Sequence, residues 1–215
     1  MDAVRQFRSV GKKIIGVGRN YKAHAVELGN PVPKKPLLFF KPTSSYVSQG
    51  NPIKIPPGCQ SLHHEVELGV IVGKTASKVN SAEANKYIGG FVLALDMTAR
   101  DFQDEAKKAG HPWTLAKGFD TACPVSDFID LADIKDPHNV NIWCNVNGKL
   151  RQSGNTSDMI FSIPVLIEAI TKFITLEPGD LILTGTPAGV GQVDIGDVIE
   201  CGLGEDLVQM KFNVV

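Results

Sequence analysis

The 215-residue chain has no apolar run approaching the roughly 18 residues of a membrane span. It has no excess of either charge: 22 Lys and Arg stand against 23 Asp and Glu, for a formal net charge of -1. That balance gives no electrostatic footprint for nucleic acid or an acidic membrane. Cysteine is sparse. Cys59, Cys123, Cys144 and Cys201 are scattered, and no C-x-x-C pair occurs. A zinc ribbon and a thioredoxin-like motif are thereby excluded, and four small apolar residues in a reducing compartment are expected. The segment Met1 to Lys13 carries Arg5, Arg8, Lys12 and Lys13 but lacks the apolar core of a secretory signal. A fragment of a mitochondrial targeting sequence is the other reading, although the stretch is short and contains Asp2. Without a secretion signal, the sequon Asn155-Thr156-Ser157 is a chance pattern. The glycine-rich run Thr184 to Gly191 lacks the Gly-Lys-Ser/Thr of a P-loop. Gly16-Val17-Gly18 is followed by Tyr21 where a dinucleotide fingerprint needs its third glycine. Both loops can instead bring backbone N–H groups close to a carboxylate.

What is present is an ordinary globular composition, 43% hydrophobic and 21% charged. The length suits one domain spanning residues 1–215, with a sizeable core. Gly and Pro, 21 and 13 residues, point to many turns and short elements rather than a helix bundle. Strands are expected at Ile14–Val17, Leu37–Phe40, His64–Val72, Gly89–Met97, Asp180–Thr184, Val198–Gly202 and Leu207–Val214. The proline-rich stretch Asn51–Gly58 is an edge strand or an extended turn. Asn147-Gly148 between Asn139–Val146 and Lys149–Gln152 signals a type I′ hairpin. Helices are expected at Asn20–Leu28 with Asn20 as N-cap, at Ala99–Ala109 closed by Gly110, and from Ser162 to about Thr175. Gly29 to Pro33 reads as a loop. Helices do not alternate with strands, so a doubly wound sheet is disfavoured. The expected fold is mainly β with short helices (α+β), a mixed β-sandwich roll.

Glu65 and Glu67 are the most informative pair. In a strand, i and i+2 share a face with Cα atoms roughly 6.6 Å apart. Val66, Leu68, Val70 and Val72 take the other face. Two carboxylates so placed repel, and a divalent cation resolves the conflict; the plainer alternative is a solvated face of an edge strand. Asp96 ends the apolar run Phe91 to Leu95, where a bare charge is costly to bury. It is either hydrogen-bonded by the following turn or bound to a cation. Three carboxylates without nearby thiolates suit magnesium or manganese. His63 and His64 adjoin Glu65 but point to opposite faces, so they are not a joint zinc pair. His24 and Glu27 are spaced i, i+3 and can meet on one helix face, where a carboxylate-held His can act as a general base. An exposed polar helix face is the alternative. Lys117, between Leu115-Ala116 and Gly118-Phe119, is either a snorkelling surface lysine or a buried cation that stabilises an enolate or oxyanion.

Taken together, certain stretches resemble a family. They are Val17-Gly18-Arg19-Asn20-Tyr21 with His24, Phe40-Lys41-Pro42, His63 to Gly69, Leu95 to Asp101, Trp113 to Lys117, and Leu183 to Pro187 with Gly189-Val190-Gly191. In this order they resemble the fumarylacetoacetate hydrolase-domain family, most closely its short acylpyruvase and oxaloacetate decarboxylase members. The resemblance implies a mixed β-sandwich roll with a metal site between the sheets, usually in a homodimer, and a catalytic domain alone. It implies that Glu65, Glu67 and Asp96 hold Mg2+ or Mn2+. It implies that His24 and Glu27, on a lid, activate water, with Lys117 near the reacting oxygens. Arg19, Gln103 and Thr186 are similar to residues that touch a substrate carboxylate or bound water. The expected substrate is a small 2-oxoacid. A 3-acylpyruvate would be cleaved to pyruvate and a carboxylate, and oxaloacetate decarboxylated. An oxoacid isomerase or tautomerase, a non-catalytic binding module and a nucleotide-binding protein are the competing readings. The compartment is expected to be mitochondrial or cytoplasmic.

Overall fold

The computed structural model describes residues 2–27, 29 and 31–215. Two short helices, α1 (Asp2–Arg5) and α2 (Phe7–Val10), precede β1 (Ile14–Gly18), α3 (Lys22–Glu27), β2 (Leu37–Lys41) and β3 (Tyr46–Ser48). Then follow β4 (Leu62–His64), β5 (Val66–Val72), β6 (Ile88–Leu95), β7 (Thr98–Ala99), α4 (Arg100–Ala109), α5 (Thr114–Lys117) and β8 (Cys123–Val125). The C-terminal part contains β9 (Asn141–Val146), β10 (Lys149–Asn155), α6 (Ile163–Thr171), β11 (Leu181–Leu183), β12 (Gly191–Val193), β13 (Val198–Leu203) and β14 (Val208–Asn213). Among the described residues no helix is long and apolar enough to cross a membrane.

A seven-stranded sheet runs in the order β2-β1-β11-β5-β6-β8-β3, a four-stranded sheet in the order β10-β9-β13-β14, and a small sheet in the order β12-β4-β7. The large sheet is mixed: β1 and β11 are parallel, as are β3 and β8, and its other pairs are antiparallel. The expected α+β roll is therefore what forms. The main core includes Val66, Leu68 and Val70 of β5, Leu93 and Leu95 of β6, Ile142 of β9 and Phe212 of β14. A second apolar cluster covers the opposite face with Ile71, Val92, Ala94 and Leu181, sealed by Phe7. Strand β5 is thus buried at all of its positions. Two covered faces account for its nearly continuous apolar run.

Several local expectations are refined. Asn147 and Gly148 both take positive φ, 51° and 70°, as a type I′ turn requires. The strand expected over His64–Val72 is interrupted: β4 pairs with β12 and β7, β5 pairs with β11 and β6, and Glu65 sits in the break between them. Asn20 does not cap α3. Its side-chain amide donates to the carbonyls of Thr184 and Phe161 and accepts the Phe161 N–H, tying the first strand's exit to two later loops. Leu28, the expected end of that helix, and Asn30 of the following loop lie outside the described residues. Helix α6 stops at Thr171 rather than near Thr175, because Leu176 is drawn into a bridge with Ala76. The N-terminal segment is part of the fold: Phe7 is fully buried and Arg8 pairs with Asp127.

Candidate active site

The break at Glu65 sets the site. Beyond it, β5 and β6 pair with Val66 opposite Leu95 and Glu67 opposite Ala94, and the Asp96 N–H donates to the Glu65 carbonyl at 2.8 Å. This register brings one oxygen each of Glu65, Glu67 and Asp96 within 4.8 Å of one another, all buried. The solvated edge face that would explain an isolated acidic pair is absent here. Crowding is felt most at Glu67. Burial first, then the charges of Asp96 and Glu65, push its carboxyl well above the ordinary range, against the opposing Gly185 N–H donated to Oε2 at 2.6 Å. Glu65 goes the other way: burial opposes ionisation, but Lys117 and Arg100 outweigh it and hold the carboxyl low.

Cations crowd the same spot. Lys117 is buried, and its Nζ donates to Asp96 Oδ2 at 2.5 Å, Thr98 Oγ1 at 2.6 Å and Glu65 Oε2 at 3.0 Å. Of its two expected states, the buried cation is the one observed. Burial would lower its pKa, but Asp96 and Glu65 raise it overall. Arg100 pairs with Glu65 and also donates to Gln103 Oε1. Lys41 lies 2.7 Å from Asp96 Oδ1, yet its ammonium protons go to the carbonyls of Lys117 (2.6 Å), Ala122 (2.9 Å) and Met97 (3.0 Å). Asp96 Oδ1 is thus a buried carboxylate oxygen without a hydrogen-bond donor. Burial, the largest influence, lowers the pKa of Lys41 despite Asp96.

The residues present fit a hard divalent cation. The donors are all carboxylates, one offers an unsatisfied buried oxygen, and one is pushed toward protonation by its neighbours' charge. His63 and His64 are engaged elsewhere, with Ser61 and with Gln152.

His24 and Glu27 meet as their spacing predicts, Nδ1 to Oε2 at 3.2 Å, with the imidazole buried. The Gly189 N–H donates to both Glu27 oxygens, at 3.0 and 3.2 Å. One glycine-rich loop therefore serves two carboxylates, Glu67 through Gly185 and Glu27 through Gly189. His24, Glu65, Lys117, Arg19 and Gln103 line one cavity of about 100 Å³, walled by Phe39 and Trp113. Thr186 stands apart. Its hydroxyl donates to the Val66 carbonyl at 2.8 Å and accepts from Gln152 at 2.7 Å. Sequence reasoning assigned no role to Lys41, Arg100 or Gln152. Lys41 and Arg100 lie inside the quoted motifs, and a charged residue closing an apolar strand was the available signal for Lys41.

A family model described as fumarylacetoacetate (FAA) hydrolase C-terminal matches residues 13–215, and the chain belongs to that family. Among individual relatives, it is 56% identical over 214 residues to the mitochondrial oxaloacetate tautomerase of Caenorhabditis elegans, covering 100% of both chains. It is 51% identical over 213 residues to the mitochondrial oxaloacetate decarboxylase of Dictyostelium discoideum, covering 99% of this chain and 98% of that one. Among solved structures, fumarylpyruvate hydrolase from Pseudomonas aeruginosa in complex with Mn2+ and pyruvate superposes with a TM-score of 0.90 at 31% identity, covering 95% of this chain and 90% of that chain.

Proposed function

We propose that the chain is a divalent-metal-dependent enzyme acting on oxaloacetate, interconverting its enol and keto forms and releasing carbon dioxide from it. The observation that carries this reading is the buried Glu65–Glu67–Asp96 cluster beside Lys117 and His24. Relatives more than half identical over essentially the whole chain are named for these two reactions, which supports it. Glu65, Glu67 and Asp96 would hold Mg2+ or Mn2+. When bound, such an ion supplies Lewis-acid stabilisation of negative charge on a 2-oxo oxygen.

The chain's own groups do the rest. The Lys117 ammonium donates a hydrogen bond to the enolate oxygen as charge develops there. His24, oriented by Glu27, moves the proton between the 2-hydroxyl of the enol and C3 of the keto form. Arg19 and Gln103 orient the substrate carboxylate. Phe39 and Trp113 limit water around the enolate. Decarboxylation breaks the bond from C3 to the distal carboxylate, and the electron pair enters the same enolate.

A second reading, hydrolysis of 3-acylpyruvates such as acetylpyruvate and fumarylpyruvate, is favoured by the His24–Glu27 contact, which suits activation of water. In that role His24 takes a proton from water as it attacks the distal acyl carbonyl. The C–C bond breaks to leave the enolate of pyruvate. A homodimer, one catalytic domain, and a mitochondrial or cytoplasmic location complete the proposal; light scattering tests the first. The deciding experiment follows enol disappearance, carbon dioxide release and pyruvate release over oxaloacetate and a panel of 2,4-dioxo acids, with and without chelator. Oxaloacetate turnover that ceases with chelator is expected. No turnover of any such acid in the presence of Mg2+ or Mn2+ would overturn the proposal.

A further inference from the structure

Gln152 lies on β10, is completely buried, and pairs across the sheet with Cys144 of β9. The register of β10 shifts between Leu150 and Gln152, so an irregularity immediately precedes this side chain. Its carboxamide makes four hydrogen bonds. Oε1 accepts from the Val66 N–H at 3.1 Å and from His64 Nδ1 at 2.9 Å. Nε2 donates to Thr186 Oγ1 at 2.7 Å and to the Pro187 carbonyl at 2.9 Å. A backbone N–H can only donate and a carbonyl can only accept, so Val66 and Pro187 fix which end of the amide is oxygen. It follows that His64 carries its proton on Nδ1. Two donors and two acceptor sites are used, and nothing is left over.

These bonds join the two segments on which the site depends. Val66 and His64 flank Glu65, and Val66 precedes Glu67. Thr186 and Pro187 are the middle of the loop whose Gly185 N–H holds Glu67 and whose Gly189 N–H holds Glu27. That loop rests directly on β10. A Cβ at Gly189, where φ is 94°, would meet the Arg151 carbonyl oxygen at 2.0 Å, and one at Gly154 would meet Pro187 at 2.7 Å. Thr186 reinforces the junction by donating back to the Val66 carbonyl.

We propose that Gln152 is a positioning residue that holds the metal-binding carboxylates and the His24–Glu27 pair in one fixed spatial relation. The inference rests on the metal-dependent reading above. Gln152 touches no reacting atom; it acts through Glu65 and Glu67 on one side and through the Thr184–Gly189 loop on the other. Removing its amide frees the loop, and with it the N–H anchors of Glu67 and Glu27.

The test is Mn2+ titration of the full chain by electron paramagnetic resonance, with turnover at saturating Mn2+ as a second readout. Gln152→Met keeps the length and loses all four bonds. Gln152→Glu keeps acceptors for Val66 and His64 but presents oxygen to the Pro187 carbonyl. Both variants should raise the Mn2+ dissociation constant about 10- to 100-fold, the usual effect of removing an outer-shell partner. Turnover should stay reduced even at saturating metal, because the Glu27 anchor is also lost. Met210→Ala, a core change on β14, serves as a destabilised control whose Mn2+ affinity should match the parent. Should Gln152→Met fail to fold, Gln152→Glu carries the test. Parent-like Mn2+ affinity and turnover in a folded Gln152 variant, or equal weakening in the Met210 control, would overturn the inference. A parent that binds Mn2+ but converts no oxoacid sinks the functional reading and leaves the titration decisive. A parent that binds no Mn2+ overturns both.

Discussion

Lys41 Nζ and Asp96 Oδ1 lie 2.7 Å apart with both side chains shut away from water. The lysine also binds three main-chain carbonyls, so it braces the turn after β6 and the end of α5 together. Removing one member of a buried pair leaves the other uncompensated, which costs about 3–5 kcal/mol. Lys41→Met should therefore lose about that much stability in urea unfolding, although the aliphatic part of the side chain is retained. A loss below about 1 kcal/mol would mean that the ammonium is not needed to hold Asp96.

Metal loading should depend on pH with a definite sign. Glu67 in the folded chain has a pKa raised above its ordinary 4.5. Its contribution to stability is full below the unfolded value and is lost as pH rises through the folded one. Glu65, held low, contributes stability that is lost as pH falls. A dication that occupies the cluster displaces the Glu67 proton. The gain in melting temperature on adding Mn2+ should thus grow as pH rises above 4.5, and it should lose that growth in Glu67→Gln. A gain constant from acid to neutral pH in the parent would contradict this.

His24→Ala should separate activities. Tautomerisation and acylpyruvate hydrolysis need a proton carried by the imidazole and should fall about 10²- to 10⁴-fold. Decarboxylation of oxaloacetate needs no such base and should fall much less, and Mn2+ affinity should be unchanged. Parallel loss of all three reactions would show that His24 does not act as the discriminating base.

Phe7 seals the second apolar cluster and stacks edge-on against Tyr46, with ring centroids 5.6 Å apart. Phe7→Ala should cost about 3–5 kcal/mol, as truncating a buried aromatic does. Calorimetry of the variant checks this, and a change under about 1 kcal/mol would mean that the N-terminal helices add little to the fold.

Much of the architecture is legible in the residues. The apolar runs of β5 and β6, the Asn147-Gly148 turn and the helix closed at Gly110 all follow local rules. The acidic pair and the His24–Glu27 spacing are equally local, since strand and helix periods place them. The interruption at Glu65 is not legible. No glycine or proline marks it, and it exists because β4 leaves for another sheet. Lys41 is hidden for the same reason. A lysine between Phe40 and Pro42 looks like a snorkelling end, and only carbonyls 56 to 81 positions downstream reveal it as an internal brace. Asn20 has the chemistry of a helix cap, yet the buried carbonyl of Thr184 competes for its amide and wins.

The ammonium of Lys117, lodged between Asp96 and Glu65, has a bearing on assembly. Small zinc modules stay unfolded until their ion arrives, because nothing else offsets the repulsion among their ligands. Here a covalently tethered countercharge travels with the polypeptide, so the acidic nest can close during synthesis in a cell poor in free dications. Stripping the ion with a strong chelator should then leave a compact, reloadable protein instead of a denatured one.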